Sequence, residues 1–431
     1  MINDESAFVD VNALRVGHFV VLDMVWLAHP FPSGSFQITS VREIETLQSL
    51  GLKRVRVDLS KSELQEPVVS KPVDAVAKAE PQETPVNPLV ASQEQARQRR
   101  AKALEGQHHS LVMCERRFTD SARQYRKTLE TLPADPLAAA GIAQELVQGF
   151  LKDILAEGDS AVRLLSQTSA DKSTMHPVNV TVVSLLLGKA MGMDRNVLTE
   201  LGLAAFLHDI GKTNLPERVR FHDESLTAGE NKLYQDHVAQ GVILGRGMGL
   251  SKTVLLAMSQ HHELADGHGF PLGLKVETMS MAGRILALVN RFDNLCNPVR
   301  NGIALTPHEA LSLLFAQHKS RFDSAVLSAF IRMMGVYPPG SVVQLIDDRH
   351  AIVVAVNSAK PLKPRVIVHE AGLSKQEALI LDLEHASNLG IRRSLKPSNL
   401  PSAALEFLSP PQRVCYFFES LPEAEPEEAM A

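Results

Sequence analysis

Leu201-Gly202-Leu203-Ala204-Ala205-Phe206-Leu207-His208-Asp209-Ile210-Gly211-Lys212 is the stretch on which the fold of this chain turns. An imidazole and a carboxylate side by side at the end of an apolar run lose solvation, so they need a partner such as a metal ion. Candidate ligands recur on both sides: His176 upstream, His237 downstream, then His261-His262 followed by Glu263. Histidines with one aspartate form a nitrogen-rich, thiol-free set, which suits Fe, Mn, Zn or Ni better than Ca or Mg. Taken alone, His208-Asp209 reads equally well as a hydrogen-bonded core pair; the added histidines in order favour the metal reading.

His208-Asp209-Ile210-Gly211-Lys212, then His261-His262-Glu263 with Asp266-Gly267-His268-Gly269-Phe270-Pro271, closely resembles the HD-GYP family of cyclic di-GMP phosphodiesterases, with Phe270 where tyrosine is usual. His176, His237 and Leu226-Thr227 match in order and spacing, so the resemblance spans roughly 165–335. It implies an HD-type all-helical catalytic bundle and, residue by residue, a centre of two divalent ions, Fe or Mn first, then Zn or Ni. Asp209 would bridge them. His176 and His208 would hold the first ion, completed by residue 290, and His237, His261 and His262 the second. Two such ions arm a water and neutralise a phosphodiester. Asp209 and Lys212 are the catalytic candidates, Lys212 lying one helical turn past His208 as a point charge for the scissile phosphate. Substrate contacts are expected from Lys212, from Gly267 and Gly269, whose missing side chains let backbone approach a ligand, and from Arg284 and Arg300.

The chain departs from the family at three places. Asn290 stands where an aspartate is usual; an amide oxygen coordinates without charge, so the first ion should bind more weakly. Asp293, the second acidic position of that motif, reads as a structural hydrogen-bond acceptor. Lys172 lies where some relatives carry a glutamate for a third metal. Val299-Arg300-Asn301-Gly302 replaces the Arg-Pro-Tyr run that grips guanine, leaving Arg300 or Arg284 as substitutes.

The rest of the chain is read around this centre. Its 431 residues hold two or three domains. A net charge of -5 gives no electrostatic reason to expect DNA or a membrane surface. No apolar run reaches the ~18 residues of a membrane helix, and Met1-Ile2-Asn3-Asp4-Glu5 lacks a basic, hydrophobic start. A cytoplasmic protein is expected. Cys114, Cys296 and Cys415, far apart and odd in number, read as reduced thiols.

Overall the fold class is mainly α, the bundle being flanked by a small α+β N-terminal domain and a small β C-terminal appendix. Residues 7–60 show strand composition around Phe19-Val20-Val21-Leu22, with Trp26, Pro30 and Phe31 in a loop and Trp26 a core aromatic. They resemble the DUF3391-type domain that precedes some HD-GYP modules. Residues 61–95 are a Pro/Ala/Glu linker. Residues 96–165 form a helical connector whose Arg97, Arg99, Arg100 and Lys102 make a solvated face. Its stripe Ile142, Leu146, Phe150 and Ile154 suits either packing on the bundle, which is favoured, or a homodimer seam. The catalytic domain covers 166–335, with Thr227 capping a helix through Glu230. Strands at 342–345, 351–356 and 365–368 place a small β domain at 336–415, and 416–431 reads as an acidic tail, disordered over Glu423–Glu428. His268, His108-His109 and His222 read as surface residues.

Function follows from the centre. The leading expectation is hydrolysis of cyclic di-GMP to linear pGpG and on to GMP, in bacterial second-messenger signalling, with GGDEF-type cyclases or other signalling proteins as partners. The alternative, resting on Asn290 and the missing guanine-gripping run, is a degenerate sensor or scaffold. A phosphohydrolase for another nucleotide is disfavoured by the Gly-Phe-Pro loop.

Overall fold

The structure, a computed structural model, describes residues 6–22, 35–40, 43–44, 47–48, 54–62, 88–156, 160–165, 172–221, 225–298, 303–356, 362–386 and 388–420. The chain divides into two compact units, Met1–Pro85 and Val86–Ala431. In the first, strands β1 (Ser6–Asp10), β2 (Phe19–Val21), β3 (Ser35–Gln37) and β4 (Arg54–Asp58) form an antiparallel sheet of order β1-β4-β2-β3. Alternation along β4 buries Val55 and Val57 beside Val20, Ile38 and Leu47. Trp26, Pro30, Phe31 and residues 63–87 of the expected linker lie outside the described residues, whereas 88–95, also read as linker, are helical.

The second unit is built on helices. They are α1 (Pro88–Thr131), α2 (Pro136–Ile154), α3 (Lys172–Ala190), α4 (Arg195–Leu207), α5 (Ala228–Gln235), α6 (His237–Gly247), α7 (Lys252–Ser259), α8 (Met281–Cys296), α9 (Pro307–Ala316), α10 (Ser324–Met334) and α11 (Ser402–Leu408). The mainly α class is thus observed. Helix α3 runs through the core with Val178, Val180, Val182, Leu185 and Leu187 buried, the pattern of a helix apolar on all sides. On α2 the buried line is Ala139, Ala143, Val147, Phe150, Leu151 and Ile154. Of the expected stripe, Phe150 and Ile154 lie in this line and in the main core, Leu146 packs against that core and Ile142 is half-buried. Gly202 lets α4 close on α2, since a Cβ there would meet Val147 at 2.7 Å. Thr227 and Glu230 form the expected capping box on α5. Arg97, Arg99, Arg100 and Lys102 are exposed, and the three cysteines are free and buried.

The C-terminal β region exists, but its sheet draws a strand from ahead of the catalytic helices. Strands β5 (Ser160–Leu164), β6 (Val342–Leu345), β7 (His350–Val356), β8 (Arg365–Val368), β9 (Ile380–Asp382), β10 (Ile391–Leu395) and β11 (Tyr416–Ser420) form one antiparallel sheet. Its spine is β10-β6-β7-β5-β11, and β8 pairs with β7 and β9. Ser160–Leu164, read as the end of the helical connector, is therefore a strand: Ala161, Val162 and Leu164 are buried when it pairs with β7 and β11. Residues 416–420, read as the start of the acidic tail, are β11, because Tyr416, Phe417 and Phe418 enter the main core. Residues 421–431 lie outside the described residues.

Charge is buried at this seam. Arg163 Nη1 donates to both carboxylate oxygens of Glu419 at 3.1 Å, with the two side chains 5% and 8% exposed. Ser110 Oγ donates to the same carboxylate from α1 at 2.9 Å. Removing one partner strands the other charge in the core, at a cost of about 3–5 kcal/mol. Glu419→Ala is therefore expected to lower the denaturation midpoint far more than Asp120→Ala, whose carboxylate pairs with Arg123 at the surface; equal shifts in urea titrations would contradict this.

Candidate metal centre

The loops between helices bring the predicted ligands together by one repeated local device. His208 follows α4, His237 follows α5 at the start of α6, and His261 follows α7. Each ring donates Nδ1–H to the carbonyl three residues back: Ala205 O at 2.7 Å, Tyr234 O at 2.5 Å and Met258 O at 2.6 Å. Those carbonyls sit at helix C-termini, where helical partners run out. A carbonyl only accepts, so each Nδ1 carries the proton and each Nε2 is left with a lone pair. His176, near the start of α3, is fixed by a carboxylate instead: its Nδ1 donates to Asp293 Oδ2 at 2.6 Å.

The free Nε2 atoms converge in pairs. His176 and His208 stand Nε2 to Nε2 at 3.2 Å, and His237 and His261 do the same at 3.2 Å. Asp209 lies between the pairs. Its Oδ2 is 3.6 and 3.4 Å from the Nε2 atoms of His176 and His208, and its Oδ1 is 3.6 and 3.7 Å from those of His237 and His261. His262 joins the second group, so that Asp209, His237, His261 and His262 form one potential cation site and His176, His208 and Asp209 another. The buried atoms Asp209 Oδ1 and His262 Nε2 have no hydrogen-bond partner within the structure. An orphaned buried acceptor is costly. Facing lone pairs repel unless a cation lies between them, and 3.2 Å is the span of two nitrogens sharing an ion at bonds of about 2.1 Å. The residues fit divalent metal.

Electrostatics agree. Burial, aided by Lys212, pushes His237 down to about 4, and burial with neighbouring imidazoles holds His261 and His262 well below the ordinary range. These rings are neutral, as ligands must be. Burial pushes the Asp209 carboxyl up, but Lys212, His208 and His176 outweigh it and hold it well below the usual carboxylate range. Lys212 Nζ donates to Asp209 Oδ2 at 2.6 Å and lies 5.7 Å from the centre of the Tyr234 ring. Burial pulls its ammonium down, and Asp209 with Tyr234 more than restores it.

Close backbone packing holds these segments in place. A Cβ on Gly211 would lie 1.9 Å from His237 O and 2.4 Å from Gly241 N, so the glycine lets the His208-Asp209 turn rest on α6. Gly269 has a similar need, for a Cβ there would lie 2.3 Å from Leu264 N. That glycine lets the loop close on the residues after His262. Gly267 takes a positive φ of 83°. Glu263, buried and given no role from the sequence, anchors the loop by accepting from Leu272 N at 2.7 Å and Leu274 N at 2.8 Å. Phe270 stacks on His262 with ring centres 4.5 Å apart.

Other expected residues stand apart from the cluster or outside view. Asn290 is buried beside it, but its Oδ1 accepts from Asn294 Nδ2 at 2.8 Å and its Nδ2 donates to His261 O at 3.3 Å. Arg284 is held by Asp323 Oδ2 at 2.9 Å and Met279 O at 3.0 Å. Asp293 is the structural acceptor anticipated, taking Asn179 and Asn297 on Oδ1 as well as His176 on Oδ2. His268 is exposed, and Arg300 and His222 lie outside the described residues. Asn179 and Tyr234 were missed; Asn179 sits three residues after His176 on α3, a spacing that marks shared helix faces.

Comparison with known proteins places this geometry in context. Residues 150–326 match the family model for the HD domain, and residues 7–140 match that for a domain of unknown function, DUF3391. A cyclic di-GMP phosphodiesterase of Pseudomonas aeruginosa is 29% identical over 85% of this chain and 86% of its own length. A cyclic di-GMP phosphodiesterase of Thermotoga maritima is 30% identical over 42% of this chain and 50% of its own. Among solved structures, an HDGYP protein of Bdellovibrio bacteriovorus covers 75% of this chain and 98% of its own, with 15% identity and a TM-score of 0.41. The chain's C-terminal part is thus similar to the HD domain and its N-terminal part to DUF3391, and the HD-GYP resemblance read from its motifs is borne out.

Two outcomes follow from the cluster. The histidines bind protons more readily unfolded, near 6.5, than folded, where His237 sits at about 4. Between those values the unfolded state holds more protons, so stability falls as pH falls, by up to about 1.4 kcal/mol per pH unit for each ring. Metal-stripped protein should therefore lose denaturation midpoint from pH 6.5 towards 4, and His237→Gln should flatten the slope. Gly211→Ala, which drives a methyl into backbone, is expected to cost metal uptake and to destabilise by about 1–3 kcal/mol; uptake equal to wild type would show that the turn has slack.

Proposed function

We propose that this chain is a metal-dependent phosphodiesterase that opens cyclic di-GMP to linear pGpG and cuts that product on to GMP. The observation that carries the reading is the pairing of unprotonated Nε2 atoms on either side of one carboxylate. His176, His208 and Asp209 would hold one ion and Asp209, His237, His261 and His262 another, Fe or Mn before Zn or Ni. When bound, such ions supply Lewis acidity, neutralising phosphate charge and making a water acidic enough to attack.

The chain's own residues do the rest. Asp209 offers one oxygen to each histidine pair, and the fixed tautomers keep every Nε2 lone pair aimed inward. Lys212 keeps its charge within the cluster, where a phosphodiester meets it as a point cation. Phe270, stacked on His262, and the loop pinned by Glu263 wall the side of the cluster that carries His262. Named relatives that act on cyclic di-GMP support the substrate, since the relative from Pseudomonas aeruginosa matches over most of both chains.

A second reading, a nucleotide sensor with weak catalysis, draws on one observation. Asn290 brings no charge to the His176 side, and its oxygen is already engaged by Asn294.

Turnover of cyclic di-GMP, followed by chromatography with Mn2+ or Fe2+ under anaerobic conditions, separates the two. Linear pGpG should appear first and give way to GMP, and Asp209→Ala should abolish both metal uptake and turnover. Asn290→Asp should raise occupancy and rate together. Nucleotide binding without any product, unchanged by Asp209→Ala, would establish the sensor.

A further inference from the structure

The carboxylate that fixes His176 is itself held by two carboxamides, the buried Asn179 and the half-buried Asn297. Asn179 Nδ2 donates to Asp293 Oδ1 at 2.9 Å and to Val414 O at 2.8 Å, while its Oδ1 accepts from Tyr416 N at 2.9 Å. Asn297, just past α8, repeats the arrangement. Its Nδ2 donates to Asp293 Oδ1 at 3.0 Å and to Val414 O at 2.9 Å, and its Oδ1 accepts from Val414 N at 2.9 Å. Neither amide can be flipped without setting oxygen against oxygen, so both orientations follow from the network. With Oδ1 of Asp293 doubly engaged, Oδ2 is left to receive the His176 Nδ1–H at 2.6 Å.

The far end of this chain of bonds is firmly seated. Leu165 N donates to Cys415 O at 2.9 Å, Tyr416 Oη donates to Pro339 O at 3.1 Å, and β11 pairs with β5 along its length. The buried Arg163–Glu419 pair closes the same strand. We propose that Asn179 and Asn297 are positioning residues which, braced on the backbone of residues 414–416, orient Asp293 and through it the His176 ring, setting metal affinity on the His176 side alone. That side has fewer protein donors, three residues against four, so it depends more on each being well aimed. The other side takes its aim from helix-end carbonyls and needs no such brace.

The inference rests on the two-ion reading, and the test separates their failures. Metal-stripped full-length chain is titrated with Mn2+ in a calorimeter, as wild type, Asn179→Ala and Asn297→Ala. Asn297 is only half-buried, so its variant keeps the test usable should Asn179→Ala fold poorly. Wild type should take two ions. Each variant should weaken one of them by about 10–100-fold, the usual effect of losing an outer-shell partner, and leave the other within about twofold. Variants that bind both ions like wild type, or lose both alike, overturn the positioning role. Wild type that takes no second ion instead sinks the two-ion reading, and the brace is then judged in metal-free protein. There the 15N resonances of His176 should show a fixed Nδ1–H form in wild type and tautomer averaging in both variants. Unchanged resonances overturn it.

Discussion

Two pairs of imidazole nitrogens, each atom carrying a lone pair, face each other at 3.2 Å across a single carboxylate. Such an arrangement is repulsive in isolation and persists only because the surrounding fold dictates it and a cation rewards it. Much of the second unit can be understood from that requirement. Helices α4, α5 and α7 stop where a histidine must begin, and the unpaired carbonyls left at their ends select the tautomer that turns Nε2 inward. An ordinary cost of ending a helix thereby becomes the means of aiming a ligand.

The same economy explains why small residues crowd the centre. Gly211 and Gly241 bring the backbone of the His-Asp turn against α6, and Gly269 folds its loop onto the residues after His262. Glu263 sits with no exposure and spends both oxygens on loop amides, which keeps Phe270 flat against His262. Charge within the cluster is balanced by one lysine on one carboxylate, so a dry pocket tolerates ionic groups that would otherwise be prohibitive.

Most of the ligand set was legible in the sequence because ligands must be particular residue types and because two short motifs carry most of them. The helical bundle came with the HD-GYP resemblance that those motifs carry. The long-range pairing of β5 with β11 was not legible. Ser160–Leu164 and Tyr416–Ser420 are short, and nothing local says that they meet. The ion pair of Arg284 was hidden for a similar reason: its partner Asp323 lies on the far side of α9 in sequence, and only folding brings the two together. Of the glycines noticed in the Gly-Phe-Pro loop, Gly269 is required where backbone meets backbone and Gly267 where φ is positive.

The split sheet also bears on how the protein is made. Arg163 and Glu419 are separated by 256 positions, and every candidate metal ligand is translated between them. A ribosome therefore delivers the whole cluster before it delivers the strand that closes the sheet beside it. During that interval Val414 and Tyr416 cannot yet meet Asn179 and Asn297, so the hydrogen bonds that frame Asp293 wait on the segment leading into β11. The frame around Asp293 is in this way tied to a strand far along the chain, a dependence written into strand order and not into any one side chain.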